Sequence, residues 1–226
     1  MKTSLQIEGI QCDIFTSSST RRFTYMIYPE DELLPENWLT QQSKTYDTTI
    51  VMIYLKSPQW GDYLTPWPEA SVFKSSPPFQ GKAEEFLKLL KSAIIPRIES
   101  TDNTDGQPER NLIGVSLSGL FAFWQWHNDD IFNSIGSISG SFWYPGFMGW
   151  FEGHDIPPKS GKAIFLLGTK EPTSGPRLFH SVGEDTRNIV ARLKEKGINC
   201  EFRWVEGNHV GDPLSRASDV FKYIYV

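Results

Sequence analysis

Cysteine is scarce in this 226-residue chain: Cys12 and Cys200 are the only two, and their separation fits neither a metal-ligand cluster nor a redox pair. Two buried free thiols in a reducing compartment are expected, with a long-range disulfide as the alternative. Positive charge is also short. Against 27 Asp and Glu stand 22 Lys and Arg, a net charge of -5. No basic stripe interleaved with aromatics offsets it, so nucleic acid is not an expected partner. Long apolar runs are missing too: no segment reaches the length of a membrane span, and the opening Met1-Lys-Thr-Ser-Leu-Gln-Ile-Glu-Gly9 has no signal-peptide core. A cytoplasmic protein without a membrane partner is the expectation. Neither G-x-x-x-x-G-K-[ST] nor G-x-G-x-x-G after a strand occurs, which excludes the two common phosphate-cradling loops. The four histidines are scattered, with no H-E-x-x-H helix, so no metal site is expected.

What is present is an ordinary balance of 39% apolar and 22% charged residues with one excess, the aromatics: 8 Trp, 8 Tyr and 15 Phe. These imply either heavy core packing or an aromatic-lined cleft. The length lies at the upper edge of what one core supports, so residues 1–226 are expected to form a single domain.

Residues 4–15 and 21–28 read as two extended segments forming an antiparallel opening, the second ending at Pro29. Residues 48–55, Thr-Thr-Ile-Val-Met-Ile-Tyr-Leu, are nearly all β-branched or apolar, the pattern of a central strand covered on both faces. A proline-punctuated connection over 56–80 has the length of a functional or mobile loop. Ala83, Phe86, Leu87, Leu90 and Ile94 share one helical face and predict an amphipathic helix over 82–98, followed by a plain surface loop over 101–108. Strands are predicted at 111–115, 135–138, 163–167 and 200–205, and helices at 117–126, 181–196 and 213–224. Strands alternating with helices give an α/β class, which has many hosts and names no function by itself.

The chemistry is carried by Asn111-Leu-Ile-Gly114-Val-Ser116-Leu-Ser118-Gly119-Leu120, an apolar strand running with almost no turn into a helix. A serine hydroxyl is a weak nucleophile that needs exposure, a base and backbone donors aimed at developing negative charge. A sharp strand-to-helix turn pushes Ser116 out at the strand end and points the next N–H, that of Leu117, into the oxyanion position. The helix N-terminus behind adds a favourable partial charge. Small residues two before and two after the serine let such a turn close. Gly114 fills the first place; Ser118 stands where a second glycine is usual, leaving open which of two nearby hydroxyls reacts.

Four histidines can supply the base. His127 lies three turns into the helix behind the elbow, and His180 opens a later helix. His154 sits in a Pro- and Gly-rich loop and is the runner-up. His209, in Glu206-Gly-Asn-His209, follows the last strand on a loop at its C-terminal end and is the candidate. The orienting acid falls between serine and histidine in chain order. Glu171, in Gly168-Thr-Lys-Glu171, is placed for it, with Asp185, Glu184 and Asp212 as alternatives.

These residues resemble a known group. Gly114-Val-Ser-Leu-Ser-Gly-Leu-Phe-Ala122 resembles the Gly-His-Ser-Leu-Gly-Gly-Leu-Phe-Ala elbow of esterases in the enterochelin-esterase-like and esterase-D-like branch of the α/β-hydrolases. Trp60-Gly-Asp-Tyr-Leu-Thr-Pro66-Trp67, Ser139-Gly-Ser-Phe-Trp143-Tyr and Gly207-Asn-His209-Val-Gly-Asp-Pro213 are similar to that family as well. The resemblance implies an α/β-hydrolase with a mostly parallel central sheet, an antiparallel N-terminal part, helices on both faces and no large lid domain. It also implies a serine esterase activity without a cofactor. It carries over Ser116 and His209, favours Glu171, and implies a second oxyanion donor just past the strand ending near Leu55, for which Leu55 is the candidate. Val115 and Ser118 depart from the family's usual residues, which leaves an altered activity open.

The expected reaction is hydrolysis of a small apolar or aromatic carboxylic ester through an acyl-enzyme, with a siderophore-type ester as a substrate by analogy alone. Trp60 and Trp67 in one loop, and Trp143 and Tyr144 in another, are the candidate substrate-binding residues; the competing reading is that these aromatics only pack the loops. Two other functions share the features: a non-catalytic binding member of the fold, favoured by the irregular elbow, and an acyltransferase or peptidase using the same Ser–His pair.

Overall fold

The computed structural model describes residues 2–16, 21–72, 76–99 and 108–226. Its strands are β1 Lys2–Ile7, β2 Ile10–Phe15, β3 Arg22–Pro29, β4 Thr49–Leu55, the two-residue pair β5 Pro68–Glu69 and β6 Phe79–Gln80, β7 Glu109–Val115, β8 Ser134–Ile138, β9 Lys162–Gly168 and β10 Asn199–Val205. The α-helices are α1 Glu36–Thr45, α2 Gln59–Tyr63, α3 Ala83–Leu89, α4 Ile95–Glu99, α5 Leu117–Asn128, α6 Phe147–Gly153, α7 Val182–Glu195 and α8 Pro213–Tyr225. All strands but β5 and β6 join one eight-stranded sheet in the order β1-β2-β4-β3-β7-β8-β9-β10. The β1–β2 and β2–β4 pairings are antiparallel; every pairing from β4 onward is parallel. Among the described residues no helix is long and apolar enough to cross a membrane.

Alternation along the strands divides the core between two faces. Tyr25, Ile27, Val51, Ile53, Leu112 and Phe165 pack under α3, α5, α6 and α7, whereas Met26, Tyr28, Ile50, Met52, Ile113 and Leu166 pack under α1 and α8. Successive residues of one strand thus serve opposite layers, which is why β3 and β4 read as continuous apolar runs. Cys12 and Cys200 are both free and buried. They sit on β2 and β10, six strand spacings apart in the sheet, roughly 29 Å at ~4.8 Å each, far beyond disulfide reach.

Three expectations change. Residues 4–15 are not one extended segment but a hairpin: Glu8 and Gly9 take φ of 49° and 77° and turn β1 back onto β2. The segment that becomes β3 is not part of an antiparallel opening; it lies parallel between β4 and β7. The helix over 82–98 is broken in register, since Leu90–Ile94 forms a π-turn between α3 and α4. Pro96 has no N–H and its ring crowds the preceding turn, so the backbone widens there and Ile95 N–H donates to the Leu90 carbonyl instead. Of the loop expected over 101–108, residues 101–107 lie outside the described residues.

His127 is buried on α5 among Phe123, Trp150 and Phe151, and among the described residues neither ring nitrogen has a hydrogen-bond partner. Burial, followed by nearby positive charge, pushes its imidazole down to about 4. The unfolded chain takes up that proton near pH ~6.5. The neutral ring's contribution to stability is therefore complete above that pH and is lost as pH falls toward 4, by up to about 3 kcal/mol. His127→Phe is expected to lose less stability than the parent between pH 7 and pH 4.5 in urea denaturation; an identical loss would assign the acid sensitivity elsewhere.

Candidate active site

Because β3, β4, β7, β8, β9 and β10 run parallel, their C-terminal ends share one edge of the sheet, where loops can converge on a ligand. Ser116 is the single residue between β7 and α5, with φ 56° and ψ -120°. A side chain rarely adopts that region, and the turn holds because its surroundings force it. A Cβ at Gly114 would lie 2.1 Å from the Ser118 carbonyl oxygen, so this approach of strand and helix requires glycine. The Ser116 N–H donates to the Ile138 carbonyl at 2.9 Å and its own carbonyl accepts from the Ser141 N–H at 3.1 Å, tying the elbow to β8.

Ser118 is fully buried. Its hydroxyl accepts from the Val115 N–H at 2.7 Å and donates to the Ile27 carbonyl at 2.7 Å. The residue that departs from the glycine pattern is thus a tie between the elbow and β3, and Ser116 is the hydroxyl left facing the cleft. Ser118→Ala leaves both backbone groups short of a partner and is expected to destabilise by about 1–3 kcal/mol in urea denaturation.

His209, on the loop after β10, places Nε2 3.1 Å from Ser116 Oγ and Nδ1 2.8 Å from Glu171 Oε2. Glu171 opens a short 3-10 turn behind β9, and its side chain is 7% exposed against 45% for His209. Its other oxygen accepts from the Gly168 N–H at 2.7 Å and the Ser139 hydroxyl at 2.6 Å. Burial alone would raise this carboxyl; the hydrogen bonds from His209, Ser139 and the Gly168 amide outweigh it and hold the group below its ordinary value. The three residues expected to act together therefore form one hydrogen-bonded chain.

The other candidates are engaged elsewhere. His154 Nδ1 is bonded to the Trp150 carbonyl at 2.7 Å, and His180 belongs to the 3-10 turn Arg177–Ser181. Asp212 caps α8 by accepting from the Leu214 and Ser215 amides at 3.1 Å. Asp185 and Glu184 lie in the first turn of α7, and burial raises the Asp185 carboxyl. Among the described residues no group of three or more His, Cys, Asp or Glu is arranged to hold a metal ion.

Ser116, His209 and Glu171 line a cleft of about 630 Å³ together with Leu55, Leu117, Trp60, Phe79, Trp143, Phe179 and several prolines. Leu117 begins α5, so its amide is one of the helix's open N-terminal donors beside Ser116. Leu55 ends β4 at the cleft wall; its carbonyl accepts from the Glu30 N–H, and the following amide, that of Lys56, donates to Gln59 Oε1 at 3.3 Å. Of the four expected aromatics, Trp60 and Trp143 line the cleft. Trp67 and Tyr144 do not. Tyr144 is 1% exposed and donates to the Trp67 carbonyl at 2.7 Å, while Trp67 Nε1 donates to the Pro145 carbonyl at 2.9 Å. The two loops are thereby tied to each other behind the wall. Phe79 and Phe179 line the cleft in their place, with the Phe179 ring 4.2 Å from that of Trp143. Neither stood in a recognisable motif.

Residues 31–209 match the model of the family described as "Putative esterase". The chain is 30% identical over 153 residues to YbbA, an uncharacterized protein of Bacillus subtilis, covering 66% of this chain and 60% of that one. It is 28% identical over 142 residues to the apo-salmochelin esterase of Escherichia coli O6:H1, covering 61% and 44% respectively. These matches thus span about half of the relatives' own lengths. Among solved structures, an IroE-like serine hydrolase from Shewanella oneidensis superimposes with a TM-score of 0.80 at 19% identity, over 100% of this chain and 80% of that one. That likeness shows the α/β-hydrolase fold: a mixed sheet, antiparallel at its N-terminal strands and parallel beyond, with helices packed on it.

Proposed function

This chain belongs to the Putative esterase family, and from that premise we propose that residues 1–226 act as a single serine hydrolase domain that cleaves small carboxylic esters through an acyl-enzyme. The observation that carries the reading is the unbroken chain Ser116–His209–Glu171 lining a cleft walled in part by aromatic rings. Ser116 Oγ attacks the ester carbonyl as His209 Nε2 takes its proton, and the negative charge gathers on the carbonyl oxygen. In this reading the Leu117 amide donates to that oxygen, and a second donor is supplied from the backbone beside Leu55. One such donor is worth about 3 kcal/mol of barrier. His209 then protonates the departing alcohol, and water, activated by the same nitrogen, releases the acid and restores Ser116.

Trp60, Phe79, Trp143 and Phe179 suit an apolar or aryl acyl group. A relative's description as an apo-salmochelin esterase supports including siderophore-type esters in that class. Two measurements test the reading: mapping the adduct of a fluorophosphonate probe, and following hydrolysis across a panel of short acyl, aryl and catecholate-serine esters. The adduct is expected on Ser116, with aryl or apolar esters turned over fastest. No adduct and no turnover from folded protein would defeat the proposal, and acyl transfer to added alcohols faster than to water would redirect it to an acyltransferase.

A further inference from the structure

Arg216, on α8, is 3% exposed, and a charge so buried is costly unless it is fully paired. Its Nη2 donates to the Asn208 carbonyl at 2.7 Å and the Glu206 carbonyl at 3.4 Å. Its Nη1 donates to Ser139 Oγ at 2.9 Å and the His209 carbonyl at 3.4 Å, and stands 3.6 Å from Glu171 Oε1. Every one of these partners belongs to the loop that carries His209, to the carboxylate that orients it, or to the serine bonded to that carboxylate. Ser139 itself takes a φ of 50° at the end of β8, so that its hydroxyl reaches Glu171.

The surroundings are built to admit the guanidinium. A Cβ at Gly211 would lie 2.6 Å from Nη2, and one at Gly168 would lie 2.6 Å from the Gly207 carbonyl and 2.9 Å from Glu171 Oε1. Asp212 caps α8 and Pro213 opens it, which fixes Arg216 directly after the loop. The His209 side chain is 45% exposed, so burial does not hold it in place. Its orientation depends on the main chain below it and on which Glu171 oxygen is free. With Oε1 occupied by Ser139 and Gly168, only Oε2 faces the imidazole.

We propose that Arg216, acting with Ser139, is a positioning pair that locks Glu171 and the His209 loop into one unit and so sets how often His209 is aligned to take the Ser116 proton. Its kinetic consequence rests on the esterase reading; its geometric consequence does not. The test uses the chain of residues 1–226 with Ser139→Ala, Arg216→Lys and Arg216→Met, reading kcat and KM separately, thermal melting, and the proton NMR resonance of the His209 Nδ1–H bonded to Glu171. Ser139→Ala and Arg216→Lys are expected to melt within a few degrees of the parent. Each should keep KM within about threefold and lower kcat by about 10-fold to 100-fold, as small misplacements of a reacting group do. The downfield resonance should broaden or vanish in both. Arg216→Met should lose the activity that Arg216→Lys partly retains. Folded Ser139→Ala and Arg216→Lys proteins with parental kcat and an unchanged resonance would overturn the proposal, as would activity falling only in step with the folded fraction. If the parent hydrolyses no ester, the resonance decides alone: its loss in the variants supports the positioning pair while the esterase reading fails, and its persistence removes both.

Discussion

Ser116→Ala is expected to lower kcat/KM for the best ester by about 10,000-fold or more, with unchanged melting and circular dichroism. Alanine keeps the Cβ that the elbow already accommodates at φ 56°, so the turn survives and only the proposed nucleophile is lost. His209→Ala should cost about as much, and the double variant little more, because the proposed mechanism has the two groups act in one step. Two neighbouring hydroxyls sharpen the test. Ser118 cannot substitute, since its oxygen is committed to Val115 and Ile27. Ser141 Oγ lies 3.5 Å from Ser116 Oγ but is fully buried. Residual turnover above a tenth of the parent in Ser116→Ala would remove Ser116 from the reaction. If that residue disappeared in the Ser116→Ala, Ser141→Ala double variant, the neighbour would be the nucleophile.

The elbow was legible because its requirements are local. Gly114, Ser116 and the start of α5 lie within a few residues, and steric closure of the turn can be argued from residue size alone. His209 and Glu171 were reachable by a coarser rule: each follows the end of a predicted parallel strand, and parallel strands end on one edge of a sheet. Ser118 was legible only as an anomaly. Its explanation, the Ile27 carbonyl, is 91 positions away in sequence and becomes its neighbour only when β3 packs beside β7.

What failed was whatever depends on long-range partners. The direction of β3 is set by the strands it lies between, so its own apolar run could not distinguish a central parallel strand from an antiparallel edge. Trp67 and Tyr144 sit in the same two aromatic-rich segments as Trp60 and Trp143; which rings face the cleft follows from the mutual hydrogen bonds between those segments. Arg216 gave no sign at all. An arginine on an amphipathic helix reads as solvent-facing, and its burial becomes tolerable only through distant partners: the carbonyls of the His209 loop, Ser139 and Glu171.

Glu171→Gln should lower kcat by about 1,000-fold to 10,000-fold with little change in KM, for a reason that concerns the proton rather than the shape. In the parent, Oε1 receives the Ser139 hydroxyl and the Gly168 amide with Arg216 Nη1 3.6 Å away, and Oε2 receives His209 Nδ1. A glutamine has one acceptor oxygen and one donor NH2. Three donors surround the Oε1 position, so the amide oxygen turns there and the NH2 faces the imidazole. His209 Nδ1 must then become an acceptor, which moves its proton to Nε2, pointing at Ser116 Oγ instead of receiving from it. The base is present, well packed and in the wrong tautomer. Kinetics alone would not separate this from a loosened site, so the discriminating measurement is the imidazole nitrogen spectrum: Nδ1 protonated in the parent, Nε2 protonated in Glu171→Gln. A glutamine variant that keeps the Nδ1 proton and turns over within tenfold of the parent would mean that another carboxylate orients His209. Glu171 would then be a structural link between β9 and the Ser139–Arg216 pair.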